Sequence, residues 1–217
     1  PNNVQVTILD TASAPLLEDR TYQAPENRPN GTVLAPQRSA PDATNVITYT
    51  ILSGNTFNAF RVDAAGALVV NNSAALDFES TAFNFVATPG FDLLVEARSD
   101  TGSVDTAAWR VNLTNVDEPP NFTGQTRTIA ENKPNGTLVG TLLAASDPER
   151  GPITFTTASS VFAISTGGQL SVKNSSALDF ETTKLFDFIV TATDRSGLST
   201  AVTVRVNVTD VAEGDPT

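Results

Sequence analysis

The sequence predicts an all-β protein built as two tandem seven-stranded Greek-key β-sandwiches of the Ig-like topology class. In short segments, apolar and polar residues alternate at a period of two, and clusters of Gly, Pro, Asn and Asp separate these segments. No stretch keeps the period of 3.6 that marks an amphipathic helix. The 217 residues also contain two similar halves of about 100 residues, and each half is long enough to bury one core.

Two acidic motifs occur once in each half. Leu76-Asp77-Phe78-Glu79 returns as Leu178-Asp179-Phe180-Glu181, and the motif Glu-Asn-(Arg/Lys)-Pro-Asn-Gly-Thr begins at Glu26 and again at Glu131. Because both motifs recur in the same order, the chain consists of two copies of one module.

The strands inside each module are predicted from apolar or alternating runs rich in Val, Ile, Phe and Thr, which favour β-structure. We expect them at residues 46–52, 67–70 and 91–97 in the first module and at residues 153–156, 169–172 and 186–192 in the second.

Three further segments alternate apolar and polar residues and then end on Asp or Asn, at residues 4–10, 109–115 and 204–210. We expect each to be the last strand of a module, so the beginning of the chain would belong to an upstream repeat of a longer array. The predicted domains are residues 1–14 (terminal strand and linker remnant), 15–116 (first repeat) and 117–217 (second repeat).

The two copies differ by insertions in the first module. The offset between them is 105 at Glu26, 102 at Asp77 and 95 at Phe91, which places a small insertion within residues 53–60 and a larger one within residues 80–90. The larger loop contains Phe83 and Phe85. It could contact a partner or fold back onto its own sandwich.

Composition excludes several classes of function. The chain has no Cys and no His, so thiolate metal sites, disulfides and histidine-based acid–base catalysis are absent, whereas carboxylates and carbonyls suit hard cations. A formal net charge of −11 argues against nucleic-acid and anionic-membrane partners. The acidity fits a cation-binding surface, or alternatively keeps a long extracellular array soluble. No apolar run approaches the roughly 20 residues of a membrane span, so we expect no direct membrane insertion.

The order of these motifs resembles tandem cadherin repeats, of the type found in bacterial surface proteins and in animal adhesion molecules. Repeats of that family contain P-E-N, D-x-D, an L-D-R-E-like turn, A-x-D and a D-x-N-D-N-x-P-like linker. The first module shows Pro25-Glu26-Asn27, Leu76-Asp77-Phe78-Glu79 and a linker at residues 115–120. The second module adds Asp147-Pro148-Glu149 and Ala192-Thr193-Asp194.

The resemblance implies calcium ions at the junctions between repeats. Calcium takes six to eight oxygen ligands, which several carboxylates and a backbone carbonyl can supply. The ligands that the resemblance implies for the middle junction are Glu26, Asp77 and Glu79 of the first module, the Val116 carbonyl, Asp117 and Glu118 of the linker, and Asp147, Glu149 and Asp194 of the second module.

The outer junctions are expected to be weaker. At the top of the first module, Asp42-Ala43-Thr44 aligns with Asp147-Pro148-Glu149, and Ser99 stands where the second module has Asp194, so two carboxylates are lost. The other end of the second module carries a half-site, for which we expect Glu131, Asp179, Glu181, Asp210 and Glu213.

Our leading functional hypothesis is a non-catalytic, calcium-binding segment of a large extracellular or cell-surface protein, such as a bacterial adhesin. It would act in adhesion as a calcium-rigidified spacer, with adjacent repeats of the same chain as its partners. A second hypothesis is direct adhesive recognition, either homophilic or of polysaccharide, with Trp109, Tyr22 and Tyr49 as the available sugar platforms, although Trp109 is expected in the core. Catalysis by paired carboxylates such as Asp77 and Glu79 is disfavoured because both modules carry the same pair.

Overall fold

A computed structural model describes residues 15–35, 46–80 and 89–212 of the chain. The chain divides into two compact units, with the boundary between Val116 and Asp117. Several predicted features lie outside the described residues: the upstream remnant at 1–14, the Asp42-Ala43-Thr44 motif, residues 81–88 of the larger insertion, and Glu213.

The first unit contains seven strands within its described residues. They are β1 (Arg20–Pro25), β2 (Val33–Ala35), β3 (Ile47–Ser53), β4 (Phe60–Val62), β5 (Leu68–Val70), β6 (Gly90–Ser99) and β7 (Val104–Thr114), with short 3₁₀ turns at Thr56–Asn58 and Ser73–Ala75.

These strands form a four-stranded sheet in the order β1-β7-β6-β3 and a three-stranded sheet in the order β2-β5-β4. β1 runs parallel to β7, and the other pairs are antiparallel. Side chains from both sheets share one core, because every second residue of each strand points inward. Trp109 is fully buried there and meets the Tyr22 ring edge-on, with 5.7 Å between the ring centroids.

The second unit repeats this plan with nine strand segments. They are β8 (Asn121–Phe122), β9 (Thr126–Ala130), β10 (Leu138–Val139), β11 (Ala145–Ser146), β12 (Thr154–Thr157), β13 (Phe162–Ile164), β14 (Leu170–Val172), β15 (Leu185–Thr193) and β16 (Ser199–Thr209), with a 3₁₀ turn at Ser175–Ala177.

Its main sheets have the orders β12-β15-β16-β9 and β10-β14-β13, which match the two sheets of the first unit. The prediction of seven strands omitted one element, a short antiparallel pair of β8 with β11. This pair brings Phe122 into the core, where its ring lies edge-on to Phe155 at 5.5 Å.

The all-β sandwich prediction is confirmed, and each internal run predicted within the described residues is a strand with shifted ends. The final strands begin earlier than expected, at Val104 rather than 109 and at Ser199 rather than 204. The residues before Trp109 and Val204 include the polar residues Asp105, Thr106, Ser199, Thr200 and Thr203. The ladders with β6 and β15 extend through them because their side chains alternate toward solvent.

We predict that Trp109→Ala lowers the free energy of unfolding of the first unit by about 3 to 5 kcal/mol, because it removes a fully buried indole. Val104→Ala, on the same strand but 47% exposed, is the control and should change stability by less than about 0.5 kcal/mol. Urea unfolding followed by circular dichroism measures both. A Trp109→Ala loss no larger than that of the control would contradict this core.

Candidate metal centres

In the first unit, a buried glutamate joins the end of the last strand to the Leu-Asp-Phe-Glu turn. Glu26 is only 2% exposed. Its Oε1 accepts the Val116 N–H at 2.8 Å, and its Oε2 accepts the Phe78 N–H at 2.6 Å. These two charge-assisted hydrogen bonds compensate for the burial of the carboxylate.

The backbone around Glu26 holds this geometry. The Glu26 N–H donates to the Thr114 carbonyl at the end of β7, and the Asn27 N–H donates to the Leu76 carbonyl at the start of the acidic turn. Asn27 has a positive φ of 57°, a conformation that Asn tolerates better than most residues. The Pro-Glu-Asn motif therefore bends the chain so that β1 and the turn meet at one end of the sandwich.

Glu26 and two further carboxylates come together. One oxygen each from Glu26, Asp77 and Glu79 lies within 4.8 Å of the other two. Opposite ligands in a calcium shell lie about 4.6 to 5.2 Å apart, given calcium–oxygen distances of 2.3 to 2.6 Å. The spacing therefore fits one cation of this kind. We call this group the first base cluster.

The second unit builds the same arrangement from its own residues. We call this arrangement, a buried glutamate whose two oxygens accept two backbone N–H groups, the glutamate clamp. Glu131 is 2% exposed, and its two carboxylate oxygens accept the N–H groups of Val211 and Phe180, each at 2.8 Å. The Glu131 N–H donates to Thr209, and the Asn132 N–H donates to Leu178. The motif that recurs in the sequence thus encodes the same set of hydrogen bonds twice.

The carboxylates beside Glu131 differ from those beside Glu26. Glu131, Glu181 and Asp210 form the second base cluster, again with ligand oxygens within 4.8 Å of one another. Asp179 instead accepts the N–H and the hydroxyl of Thr182, at 3.1 and 2.7 Å, and these hydrogen bonds lower its pKa. Within the described residues, the predicted half-site therefore assembles without Asp179.

The second unit also has an acidic cleft of about 410 Å³. Four of the sequence-predicted ligands line it, namely Asp117, Asp147, Glu149 and Asp194. Glu118 joins them through its backbone, since its N–H donates to Glu149 Oε1 at 3.2 Å. Arg195 also lines the cleft, which the sequence analysis did not anticipate.

Local turns hold the acidic side chains of this cleft. The Gly151 N–H donates to Asp147 Oδ1 at 2.8 Å, and the Arg150 N–H donates to the Asp147 carbonyl, closing a tight turn. Arg150 carries the turn's positive φ of 62°. The turn leaves Asp147 and Glu149 half-buried rather than splayed into water.

Asp194 is held by its own loop. Its Oδ1 accepts the Ser196 hydroxyl and the N–H groups of Gly197 and Leu198 at 2.8 to 2.9 Å. Partial burial raises the pKa of Asp194, but these hydrogen bonds together outweigh burial and keep the pKa below its usual range. The carboxylate therefore stays ionised through the neutral range.

The first unit forms the corresponding loop without a carboxylate. Ser99, only 4% exposed, occupies the position of Asp194, and its hydroxyl pairs with Thr101 Oγ1 and accepts the Ser103 N–H. The loop therefore keeps its internal hydrogen bonds but has no carboxylate at this position, as the sequence indicated.

Each unit gathers its own share of the sequence-predicted ligands. Glu26, Asp77 and Glu79 form the first base cluster next to the Val116 backbone, and the remaining five residues belong to the acidic cleft. Sequence reasoning missed that Glu26 is buried and that the N–H groups of Phe78 and Val116 hold it. The adjacent Pro25 and Asn27 were the available signal for this bend.

The aromatic residues considered as sugar platforms are not exposed. Trp109 is fully buried, as expected, and Tyr22 is 5% exposed in the same core. Tyr49 is half-buried against that core. Trp109 and Tyr22 therefore offer no stacking surface, and Tyr49 is only partly accessible.

We predict that Glu26→Gln and Glu131→Gln each cost about 1 to 3 kcal/mol of stability in the presence of a chelator, because the amide nitrogen cannot accept a backbone N–H. Denaturant unfolding measures the loss. Glu18→Gln is the control, since its side chain is 72% exposed and lies 3.6 Å from Arg20. Equal stability of all three variants would show that the clamp contributes nothing.

Acid sensitivity should follow from Asp194. Its folded pKa lies below the unfolded value of about 3.9, so its contribution to stability is complete above that pH and is lost as the pH falls through the folded value. Asp194→Ser, which reproduces the Ser99 loop, should flatten the dependence of melting temperature on pH below about pH 4. An unchanged slope in chelator would contradict this assignment.

Comparison with known proteins agrees with this architecture. A family model described as Bacterial Ig domain matches residues 117–207. Human protocadherin gamma-A6 is 30% identical over 233 aligned residues, covering 99% of this chain and 24% of that protein. Protein dachsous of Drosophila melanogaster is 31% identical over 219 residues, covering 89% of this chain and 6% of that protein. The chain spans about a quarter of the length of the first of these curated relatives.

Solved structures show the same fold. The crystal structure of mouse cadherin-23 EC22-24 superposes with a TM-score of 0.50 at 23% identity, covering 89% of this chain and 64% of that chain. The crystal structure of human CDH23 EC21-23 gives a TM-score of 0.50 at 22% identity, covering 88% and 67%. The repeated motifs, the sandwich fold and these relatives together show that the chain is made of cadherin-like repeats.

Proposed function

We propose that the chain is a calcium-binding tandem repeat of a large extracellular or cell-surface protein, and that it acts in adhesion as a calcium-rigidified spacer. The observation that carries this proposal is the base cluster, in which a buried glutamate and two further carboxylates lie at calcium-shell spacing. The same hydrogen bonds build it in both units.

The chemistry of the ligands favours calcium over other metals. The clusters offer only oxygen atoms, and the chain has no Cys or His to bind zinc or copper. Flexible carboxylate arms suit the irregular shell of calcium, whereas magnesium demands a near-ideal octahedron.

Chain connectivity supports sharing of ions between the repeats. The backbone of Val116 belongs to the first base cluster, and Asp117, the next residue, lines the acidic cleft of the second unit. We propose that calcium takes ligands from both groups at once. Those ligands are Glu26, Asp77, Glu79, the Val116 carbonyl, Asp117, Glu118, Asp147, Glu149 and Asp194.

Electrostatics explains why such ions would stiffen the joint. Two carboxylates 4 Å apart repel by about 4 kcal/mol at an effective dielectric constant near 20. A bound divalent cation reverses that interaction, and it stabilises only the arrangement that presents all of its ligands. We therefore propose that the partners of each repeat are the adjacent repeats of the same chain.

The relatives favour adhesion over catalysis, since the matched proteins are cadherins and protocadherins. We propose an extracellular or cell-surface location on the same ground. Among the described residues, no helix has the length and apolar character needed to cross a bilayer.

Calcium should raise the thermal stability of the intact chain. With dissociation constants of about 10⁻⁴ to 10⁻³ M, 10 mM calcium should add about 1.4 to 2.7 kcal/mol per site relative to chelator. Calorimetry measures the shift in melting temperature, and small-angle scattering measures the narrowing of the distance distribution.

Asp147→Asn should remove most of the calcium response of the acidic cleft. Asp187→Asn is the matched control, because Asp187 is paired with Arg205 at 2.7 Å and lies outside every cluster described above. Identical melting and scattering profiles with calcium and with chelator would refute the proposed function.

A further inference from the structure

Strand β3 (Ile47–Ser53) forms one edge of the four-stranded sheet of the first unit. Residues 46–53 carry no charged side chain and no Pro. Edge strands of soluble proteins usually carry such residues because they block pairing with other chains. The segment 47–51 is also palindromic, Ile-Thr-Tyr-Thr-Ile, so it has the same sequence in both directions.

The unpaired backbone groups of this edge belong to the residues that make the palindrome symmetric. The Asp100 N–H donates to the Val46 carbonyl, so the main-chain groups of residues 46, 48 and 50 face β6. Those of Ile47, Tyr49 and Ile51 therefore face away from the sheet. Among the described residues, no turn or loop forms a backbone hydrogen bond with them.

The side chains of β3 leave the sandwich open along this edge. Ile47, Tyr49 and Ile51 pack against the core but are only partly buried. Their neighbours on β6, Val95 and Ala97, are at most 1% exposed. A further strand beside β3 would cover the remaining apolar surface.

The second unit closes the equivalent edge with its own chain. β12 is four residues long and follows Pro152. Phe155 pairs with Ala192 as Tyr49 pairs with Ala97, so Phe155 is the equivalent residue. Its N–H donates to the Thr166 carbonyl at 3.1 Å, and its ring is 6% exposed. Among the described residues, an open edge is therefore found on β3 and not on its equivalent, β12.

We propose that β3 is a self-association surface, at which two copies of the chain pair their β3 strands in antiparallel fashion about a two-fold axis at Tyr49. The palindrome points to a second copy as the occupant, because pairing about this axis places each residue opposite a residue of the same type. Tyr49 meets Tyr49 of the second copy, Thr48 meets Thr50, and Ile47 meets Ile51. Opposed residues in such a pair point to the same face, so the apolar row continues across the axis.

The pairing satisfies the outward backbone groups. Ile47, Tyr49 and Ile51 each exchange hydrogen bonds with their counterparts, and the bulge between Ile51 and Ser53 ends the ladder. On the solvent face, Glu96 lies beside Thr50 and Arg98 beside Thr48. Each row that crosses the axis therefore has a carboxylate at one end and a guanidinium at the other, with no like charges opposed.

Sedimentation equilibrium of the intact chain in chelator tests this interface independently of calcium. We expect a concentration-dependent dimer for the wild-type chain. Thr48→Lys combined with Thr50→Lys opposes two lysines at two places, so it should weaken association by about tenfold or more. It also reduces the net charge from −11 to −9, so general repulsion between chains cannot explain the loss.

A charge-matched variant and a position-matched variant are the controls. Thr48→Glu with Thr50→Lys keeps the net charge at −11 and opposes unlike charges, so the dimer should persist. Thr154→Lys with Thr156→Lys changes the equivalent exposed positions of β12 and should leave association unchanged. A monomeric wild type, or variants that all associate alike, would overturn the proposal.

Disulfide cross-linking determines the register of the β3–β3 pair. Because the chain has no natural cysteine, only the introduced cysteines can form the cross-link. Opposed Cα atoms in a non-hydrogen-bonded pair lie about 4.5 Å apart, within the range of a disulfide. Mixed Thr48→Cys and Thr50→Cys chains should give an oxidised dimer, whereas neither variant alone should. Equal cross-linking of the single variants would contradict the two-fold at Tyr49.

Discussion

The structure of each repeat depends on one buried carboxylate that accepts two backbone N–H groups. Glu26 and Glu131 are each 2% exposed, and each bonds the residue just after the last strand and the Phe of the acidic turn. An unpaired buried carboxylate would be very costly, so the turn and the exit of the last strand must meet around it. This constraint places the neighbouring carboxylates at one end of each sandwich.

The clamp is constant, and the ligands around it vary. Asp77 belongs to the first base cluster. In the second unit, Asp179 accepts a hydrogen bond from Thr182 instead, and Asp210 is the third member of the cluster. At the other end of the repeat, Asp194 and Ser99 occupy equivalent loops with and without a negative charge. The two repeats therefore present different sets of carboxylates on the same hydrogen-bonded frame. The edge strands also differ between the repeats. The Thr166 carbonyl accepts the outward Phe155 N–H of β12, whereas no described turn or loop forms a backbone hydrogen bond with the outward groups of β3.

Much of the fold could be predicted from local sequence because period-two alternation and Gly, Pro and Asn clusters define strands and turns directly. The starts of β7 and β16 could not, since their polar residues extend a ladder only when a partner strand is present. The candidate ligand set of the middle junction came from the family resemblance and not from the periodicity of the strands. The burial of Glu26, the diversion of Asp179 and the open edge of β3 depend on long-range contacts that single-sequence patterns do not contain.

Amide hydrogen exchange at Phe78, Val116, Phe180 and Val211 tests the buried clamp most directly. The four N–H groups donate to the two buried glutamates, so they should be strongly protected in chelator and should gain further protection with calcium. Exchange in chelator at the rate of an exposed loop would show that the clamp does not exist without the ion. The base of each repeat would then not be assembled in advance.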